Sequence, residues 1–329
     1  MNKVAKGAVA LSCVLAMGAG SFSLAGCASQ GNPVASDAGE TEASATQGAY
    51  TFTDDLGREV TVASHNRVVA GMGSFANVWE LAGGTLVGAS DDAFSDYHIA
   101  SDAQKIGDFS SLNAESIIAL NPDFVILTGS SSGRGGVAQT ELADTLTAAN
   151  IPVAYFKVTT FDDYLRMLRT CCDITGDEQA YAENGQGPAD RIAEICAKAE
   201  GKQAGSAVVL TTYSGGTRVQ SSSTQTGTML ADLGAQNIAD SDKGLLSDYS
   251  LEALIQDNPQ TIFLLPMGNS DEAAQQALAE QTTSNPAWAQ LDAVKNDRVV
   301  TLDPQLFQYK PNAQWDQAYQ VLFDALYGE

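Results

Sequence analysis

Apolar positions follow two alternating rhythms along the chain. The runs RVVAGMG (67–73), TLVGAS (85–90), DFVILTG (123–129) and IPVAYFKV (151–158) are short and nearly continuous in hydrophobicity, with many β-branched residues. Such runs predict strands buried on both faces. Between them, SFANVWELAG (74–83) and TELADTLTAAN (140–150) repeat apolar residues at helical spacing. The second half keeps the same style. SAVVLTTY (206–213), TIFLLPM (261–267) and RVVTLD (298–303) read as strands, with TQTGTMLADLG (224–234), NPAWAQLDAVKN (285–296) and NAQWDQAYQVLFDALYG (312–328) between or after them. Strands alternating with amphipathic helices predict an α/β protein of mainly parallel sheets covered by helices. We read two α/β lobes, 50–177 and 201–329, joined by a single long helix over 178–200.

That joining segment has a distinctive pattern. Helices over 161–175 and 178–199 are expected to turn on each other near Gly176. Ala180, Tyr181, Ile192, Ile195, Cys196 and Ala199 fall on one face of the second helix, but Gly185, Gly187 and Pro188 interrupt it. Proline lacks an N–H and clashes with the carbonyl one turn back, so a kink or break is expected near Gly187.

The two halves also share a word. LNAESIIALNPDFVIL (112–127) and YSLEALIQDNPQTIFLL (249–265) align without a gap, Glu115, Asn121 and Pro122 matching Glu252, Asn258 and Pro259. Each is a short helix opening on a Glu and feeding a buried strand. Two related units in two halves place one carboxylate at the same corner of each lobe.

Composition changes the picture at the N-terminus. Residues 1–26 carry Lys3 and Lys6, an apolar run and then small residues, the layout of a secretory signal. Its end, Leu24-Ala25-Gly26-Cys27, resembles a bacterial lipobox, which makes Cys27 the lipidation site and anchors the protein to the cell membrane on its outer side. Residues 27–49 are mainly Ala, Ser, Gly, Thr, Gln and acids, a flexible tether. Without the leader's two lysines, 15 basic residues face 40 acidic ones, a net charge of −25. Nucleic acid is excluded as a partner, because phosphate binding needs clustered Lys and Arg.

Chemistry is sparse. Gly129-Ser130-Ser131-Ser132-Gly133 matches the G-x-S-x-G pattern, but a hydrolase of that type needs a later His, and His65 and His98 both precede it. Phosphate-loop, zinc-protease and dinucleotide motifs are absent. Cys171, Cys172 and Cys196 are read as buried thiols, since Cys171 and Cys196 on opposed helices would lie some 20 Å apart at ~1.5 Å per residue. The chain is therefore expected to be no enzyme, to need no cofactor and to bind no metal directly. Ligands of open α/β sheets sit beyond the carboxyl ends of strands. The loops there carry Met72, Phe94, Tyr97, His98, Phe109 and Arg134 in the first half, and Tyr213, Arg218, Phe307, Tyr309 and Lys310 in the second. Aromatics with a few cations fit a large, flat or greasy ligand bearing acidic groups.

Four stretches, TFTDDLGREVTVASHNRVVAGMGSFANVWELAGG (51–84), IGDFSSLNAESIIALNPDFVIL (106–127), YSLEALIQDNPQTIFL (249–264) and NPAWAQLDAVKNDRVVTLD (285–303), run across both lobes. Together they resemble the solute-binding proteins of ABC importers for ferric siderophores, haem and vitamin B12. The resemblance implies the class III architecture, two lobes about a shallow cleft with little hinge motion. It implies a monomer that captures an iron complex, ferric siderophore or haem, and hands it to a permease driven by its ATPase. A corrinoid receptor and a ligand sensor on the same fold are the alternatives. It further implies that Glu115 and Glu252 dock on arginine-lined pockets of the permease, and that Tyr97 stands where haem-binding members place an axial tyrosine and corrinoid-binding members an aromatic. Gly187-Pro188 departs from the family's straight helix.

Overall fold

The computed structural model describes residues 48–328 apart from 101, 131–138, 214–215, 242, 248, 268–275, 277–278 and 280–284. The leader, Cys27, nearly all of the tether and Arg134 lie outside the described residues. The chain opens with an antiparallel hairpin, β1 (Tyr50–Thr53) and β2 (Glu59–Val62), whose inward Val60 and Val62 alternate with exposed neighbours. Asp54 organises the turn, accepting from the backbone N–H groups of Leu56 and Arg58 and pairing with the Arg58 guanidinium at 2.6 Å.

Two parallel sheets follow. The first has the order β5-β4-β3-β6-β7, built from β3 (Val68–Ala70), β4 (Leu86–Ala89), β5 (Gln104–Lys105), β6 (Phe124–Thr128) and β7 (Val153–Phe156). The second runs β10-β8-β11-β12, from β8 (Ser206–Tyr213), β10 (Gln236–Asn237), β11 (Thr261–Pro266) and β12 (Val299–Thr301). The hairpin strands β1 and β2 and the short edge strands β5 and β10 escaped the sequence reading, as did β9 (Gly216–Gln220), which turns back antiparallel on β8. β6 and β7 are buried at every position, as strands covered on both faces must be. The main helices are α1 (Gly73–Leu81), α2 (Asp91–Ser95), α3 (Ala114–Ala119), α4 (Ala143–Ala148), α5 (Phe161–Thr175), α6 (Glu178–Tyr181), α7 (Gly187–Ala199), α8 (Gln225–Asp232), α9 (Leu251–Asp257) and α10 (Trp315–Tyr327), with shorter ones at Lys243–Ser247, Asp292–Lys295 and Pro304–Phe307. The run 285–296, read as one helix, divides into a 3-10 turn Pro286–Gln290 and a four-residue helix, because Leu291 between them is extended.

Side-chain packing explains why two sheets make one body. A continuous core joins Phe75 and Trp79 of α1, Met167 and Leu168 of α5 and Ile192 of α7 to Met229 of α8, Phe263 of β11 and Trp315 and Phe323 of α10. Separate clusters cover the outer faces, Ile117 and Leu127 on the first sheet, Leu254 and Trp288 on the second. Bending one lobe against the other would expose the shared core, so its burial opposes hinge motion.

The join between lobes resolves the Gly187-Pro188 question. α5 begins with a capping box between Thr160 and Asp163 and ends on Gly176 in the left-handed conformation, where the chain reverses. The second helix continues from α6 to α7 through a π turn, Ala182–Gln186, in which Gly187 N–H donates to the Ala182 carbonyl. This wider turn takes up the proline without a break. The Asn184 carbonyl, which lies four residues before Pro188 and so loses its helical donor, accepts from the Tyr164 hydroxyl at 2.7 Å. The Asn184 side chain in turn donates to the Leu81 carbonyl at the end of α1 (3.0 Å). Cys171 and Cys172 are buried free thiols and Cys196 is a partly buried one.

Candidate ligand cleft and docking corners

Parallel strands bring their carboxyl ends to one side, and the loops that leave them carry the candidate site. On the first sheet these loops are tied by a residue that the sequence did not single out. Gln139, wholly buried, donates to the carbonyls of Gly71 (2.6 Å) and Phe109 (2.8 Å) and accepts from Thr128 N–H (2.9 Å). One amide thus links the ends of β3 and β6 with the loop before α3. A side chain on Gly71 would meet Leu127, Leu112 and Gln139 itself, so the close approach requires glycine there.

The loop after β4 coils into α2, where the sequence reads only as a loop. Asp91 and Asp92 occupy its first turn, a placement favoured by the helix dipole. The Asp92 carboxylate also accepts from Gly73 N–H at the start of α1 (2.8 Å), and burial raises its pKa above the ordinary carboxylate range. Beyond α2, Tyr97 reaches the C-terminal segment. Lys310 N–H donates to its hydroxyl oxygen at 2.9 Å, and the hydroxyl donates to the Lys310 carbonyl at 3.3 Å. Its ring meets Tyr309 edge-on, with centroids 6.4 Å apart. Burial drives the phenol pKa well above its usual value, although the Lys310 N–H pulls the other way.

Next to this clamp, Asn312 is buried and in the left-handed conformation, and donates to the Ser74 carbonyl (2.9 Å) and the Asn77 side chain (2.8 Å). Lys310 Nζ donates to Gln225 Oε1 at 3.1 Å, and Gln225 Nε2 donates to the carbonyls of Leu306 and Tyr309. Burial lowers the lysine pKa to about 8. A cavity of about 660 Å³ opens here between α1, the turn 96–98 and the segment 303–317. That volume suits a small-molecule ligand.

The candidates divide accordingly. Tyr97, His98 and Lys310 line this cavity and Tyr309 backs Tyr97. His98 is exposed and in the left-handed region, its Nδ1 3.2 Å from the Phe94 carbonyl. Met72, Phe94, Phe109, Tyr213, Arg218 and Phe307 are not on its wall. Met72 and Phe94 are half-buried against the shared core, with the Lys105 ammonium 5.3 Å over the Phe94 ring. Phe109 is half-buried beside Gln139, and Tyr213 holds the Arg218 guanidinium 5.0 Å above its ring across β8 and β9. Phe307, 3 % exposed, is a core residue. Asn312 and Gln225 carry the junction and were not read from the sequence; their only signal was the turn-forming pair Pro311-Asn312.

The repeated word builds two matching corners. Glu115 and Glu252 each stand second in their helix, exposed, with Ile117 and Leu254 two residues on wholly buried against their own sheets. Asn113 caps α3 and Ser250 caps α9. Asn121, just past the Leu120 cap of α3, and Asn258, the cap of α9, are both left-handed, φ 46° and 42°, turning the chain into Pro122 and Pro259 and thence into β6 and β11. Each corner is tied by an arginine that opens the neighbouring strand. Arg67, before β3, donates to the Leu120 and Asn121 carbonyls, and Arg298, before β12, to the Gln260 carbonyl. The spelling Arg-Val-Val at 67–69 and 298–300 was the available signal.

Two parallel-sheet lobes, one joining helix and a cleft between them define a class III solute-binding protein. The chain belongs to the periplasmic binding protein family, whose model matches residues 68–306. Solved structures with a similar fold include Staphylococcus aureus SirA complexed with staphyloferrin B, 22 % identical with a TM-score of 0.64, the match covering 85 % of this chain and 97 % of that one. They also include the vitamin B12-binding protein BtuF of Vibrio cholerae (16 %, TM-score 0.63, covering 79 % and 96 %) and S. aureus IsdE complexed with heme (18 %, TM-score 0.61, covering 79 % and 98 %). No curated protein sequence matches the chain.

Proposed function

We propose that this protein is a lipid-anchored, extracytoplasmic receptor of an ABC importer that captures an iron complex and presents it to the permease. It performs no chemistry; its work is selective binding followed by docking. The observation that carries the reading is the pair of matched corners. Glu115 and Glu252 occupy the same place on two lobes, each exposed and free of ion pairs among the described residues. Two carboxylates held a fixed distance apart by a shared core suit two arginine pockets on a partner, which they meet by bidentate contacts. Anchoring through Cys27 and the tether leaves the receptor free to reach such a partner from the membrane surface.

The Tyr97 contacts narrow the cargo. A tyrosine that ligates haem iron must offer a free phenolate, whereas this hydroxyl is engaged by both backbone groups of Lys310 and its pKa is raised. This supports a ferric siderophore over a Tyr97-ligated haem, and it equally suits a corrinoid, the second reading. The test pairs Glu115→Lys with Glu252→Lys. Uptake of the cognate ligand by cells should be abolished while the affinity of the purified receptor stays within about twofold. Loss of affinity instead would remove the docking role. A calorimetric screen of ferric siderophores, haemin, cyanocobalamin and cobinamide selects the ligand.

A further inference from the structure

Lys310 is a cation without a contact ion pair in a protein with acids to spare; Asp163 acts on it only from beyond salt-bridge distance. The chain has 40 acidic residues against 17 basic ones, yet no carboxylate among the described residues forms an ion pair with this ammonium. Among the described residues, its one acceptor is Gln225 Oε1. That oxygen has little freedom, because the amide nitrogen of Gln225 is held by two carbonyls and the residue is 7 % exposed. The lysine backbone is fastened as well, both its N–H and its C=O bonding to Tyr97. The ammonium therefore hangs from a fixed point on the wall of the cavity between the lobes, half-buried and with its pKa lowered by burial. A desolvated charge in that state costs stability unless a partner arrives.

We propose that Lys310 is the specificity-determining cation of the cleft, receiving a carboxylate of the bound ligand at the junction of the two lobes. The inference rests on the receptor reading above and names the ligand class, a small molecule carrying at least one free carboxylate. Gln225 is the positioning residue that aims the ammonium. Asp96 and Asp303, which line the same cavity, confine the acidic group to the lysine's side by repulsion.

The test uses the full-length protein in detergent and tryptophan-fluorescence titration with haemin, haemin dimethyl ester, ferric citrate and cyanocobalamin. The wild type should bind the acid forms at least about tenfold more tightly than the ester, since a hydrogen bond to a charged group is worth about that much. Lys310→Met should abolish this preference while binding the ester as the wild type does. Lys310→Arg should keep the preference. Binding of the ester also shows that the methionine variant is folded. Equal affinity of the wild type and Lys310→Met for the acid probes overturns the inference and leaves the receptor reading standing. Failure of the wild type to bind any of the acid probes overturns the inference, whereas failure to bind every member of the calorimetric screen overturns the receptor reading.

Discussion

Tyr97 and Lys310 close on each other across the two lobes through two hydrogen bonds, of which the shorter runs from Lys310 N–H to the phenol oxygen at 2.9 Å. The side chain comes from the loop after β4 and the backbone groups from the segment that follows β12, residues 213 apart in the chain. Tyr97→Phe should therefore weaken the junction by about 1–3 kcal/mol, the usual effect of leaving a buried N–H unsatisfied. Urea unfolding measures this. With haemin bound, the variant should show the wild-type Soret band; a displaced band would mean that the phenol leaves Lys310 for iron.

Lys310 makes a pH prediction of definite sign. Its pKa in the folded protein, about 8, lies below its ordinary value of 10.5. Between these values the unfolded chain holds more protons, so this residue makes stability rise with pH across that window, by up to about 3 kcal/mol. Below pH 8 both states are protonated and the full cost of the buried charge is present. Asp163, Tyr97 and Tyr309, and Asp96, His98 and Asp303 on the same cavity wall, face this region and are present in both proteins. Subtracting the stability curve of Lys310→Met from that of the wild type isolates the lysine; a flat difference would refute the assignment.

The two corner asparagines should respond differently to glycine. Both have positive φ, a conformation glycine adopts without strain. Asn121 spends its side chain on one long contact, 3.5 Å to the Ala119 carbonyl, so Asn121→Gly should change stability by less than about 0.5 kcal/mol. Asn258 exchanges two bonds with Asp292, to the carboxylate at 2.8 Å and from the N–H at 2.9 Å. Asn258→Gly should cost about 1–2 kcal/mol by thermal unfolding. It should also raise the Asp292 pKa, which the Asn258 bond now holds down.

The three thiols should label in a fixed order. Burial pushes Cys171 far above the ordinary thiol range, Cys172 to about 11 and Cys196 upward, and Cys196 is the least enclosed of them. Thiolate is the reactive form, so iodoacetamide at pH 8 should modify Cys196 slowly and spare the other two until the protein is denatured. Peptide mass spectrometry reads the sites, and early loss of Cys171 would contradict the packing of α5.

The sequence by itself determined the local elements and the repeat. Continuous apolar runs marked β6, β8 and β11, helical periodicity marked α5 and α10, and the Glu…Asn-Pro word marked two equivalent corners. These are properties of neighbouring residues, and short-range periodicity records them. The π turn at 182–186 was legible only as trouble near Pro188, because its remedy, the Tyr164 hydroxyl, comes from another helix. The cleft belongs to tertiary structure alone. Nothing in the spacing of residues 97, 225, 310 and 312 announces that they meet, or that Phe307 turns into the core while Lys310 faces a cavity. Which side of a post-strand loop is buried depends on how the second lobe packs against the first, and that packing is decided by the core both lobes share.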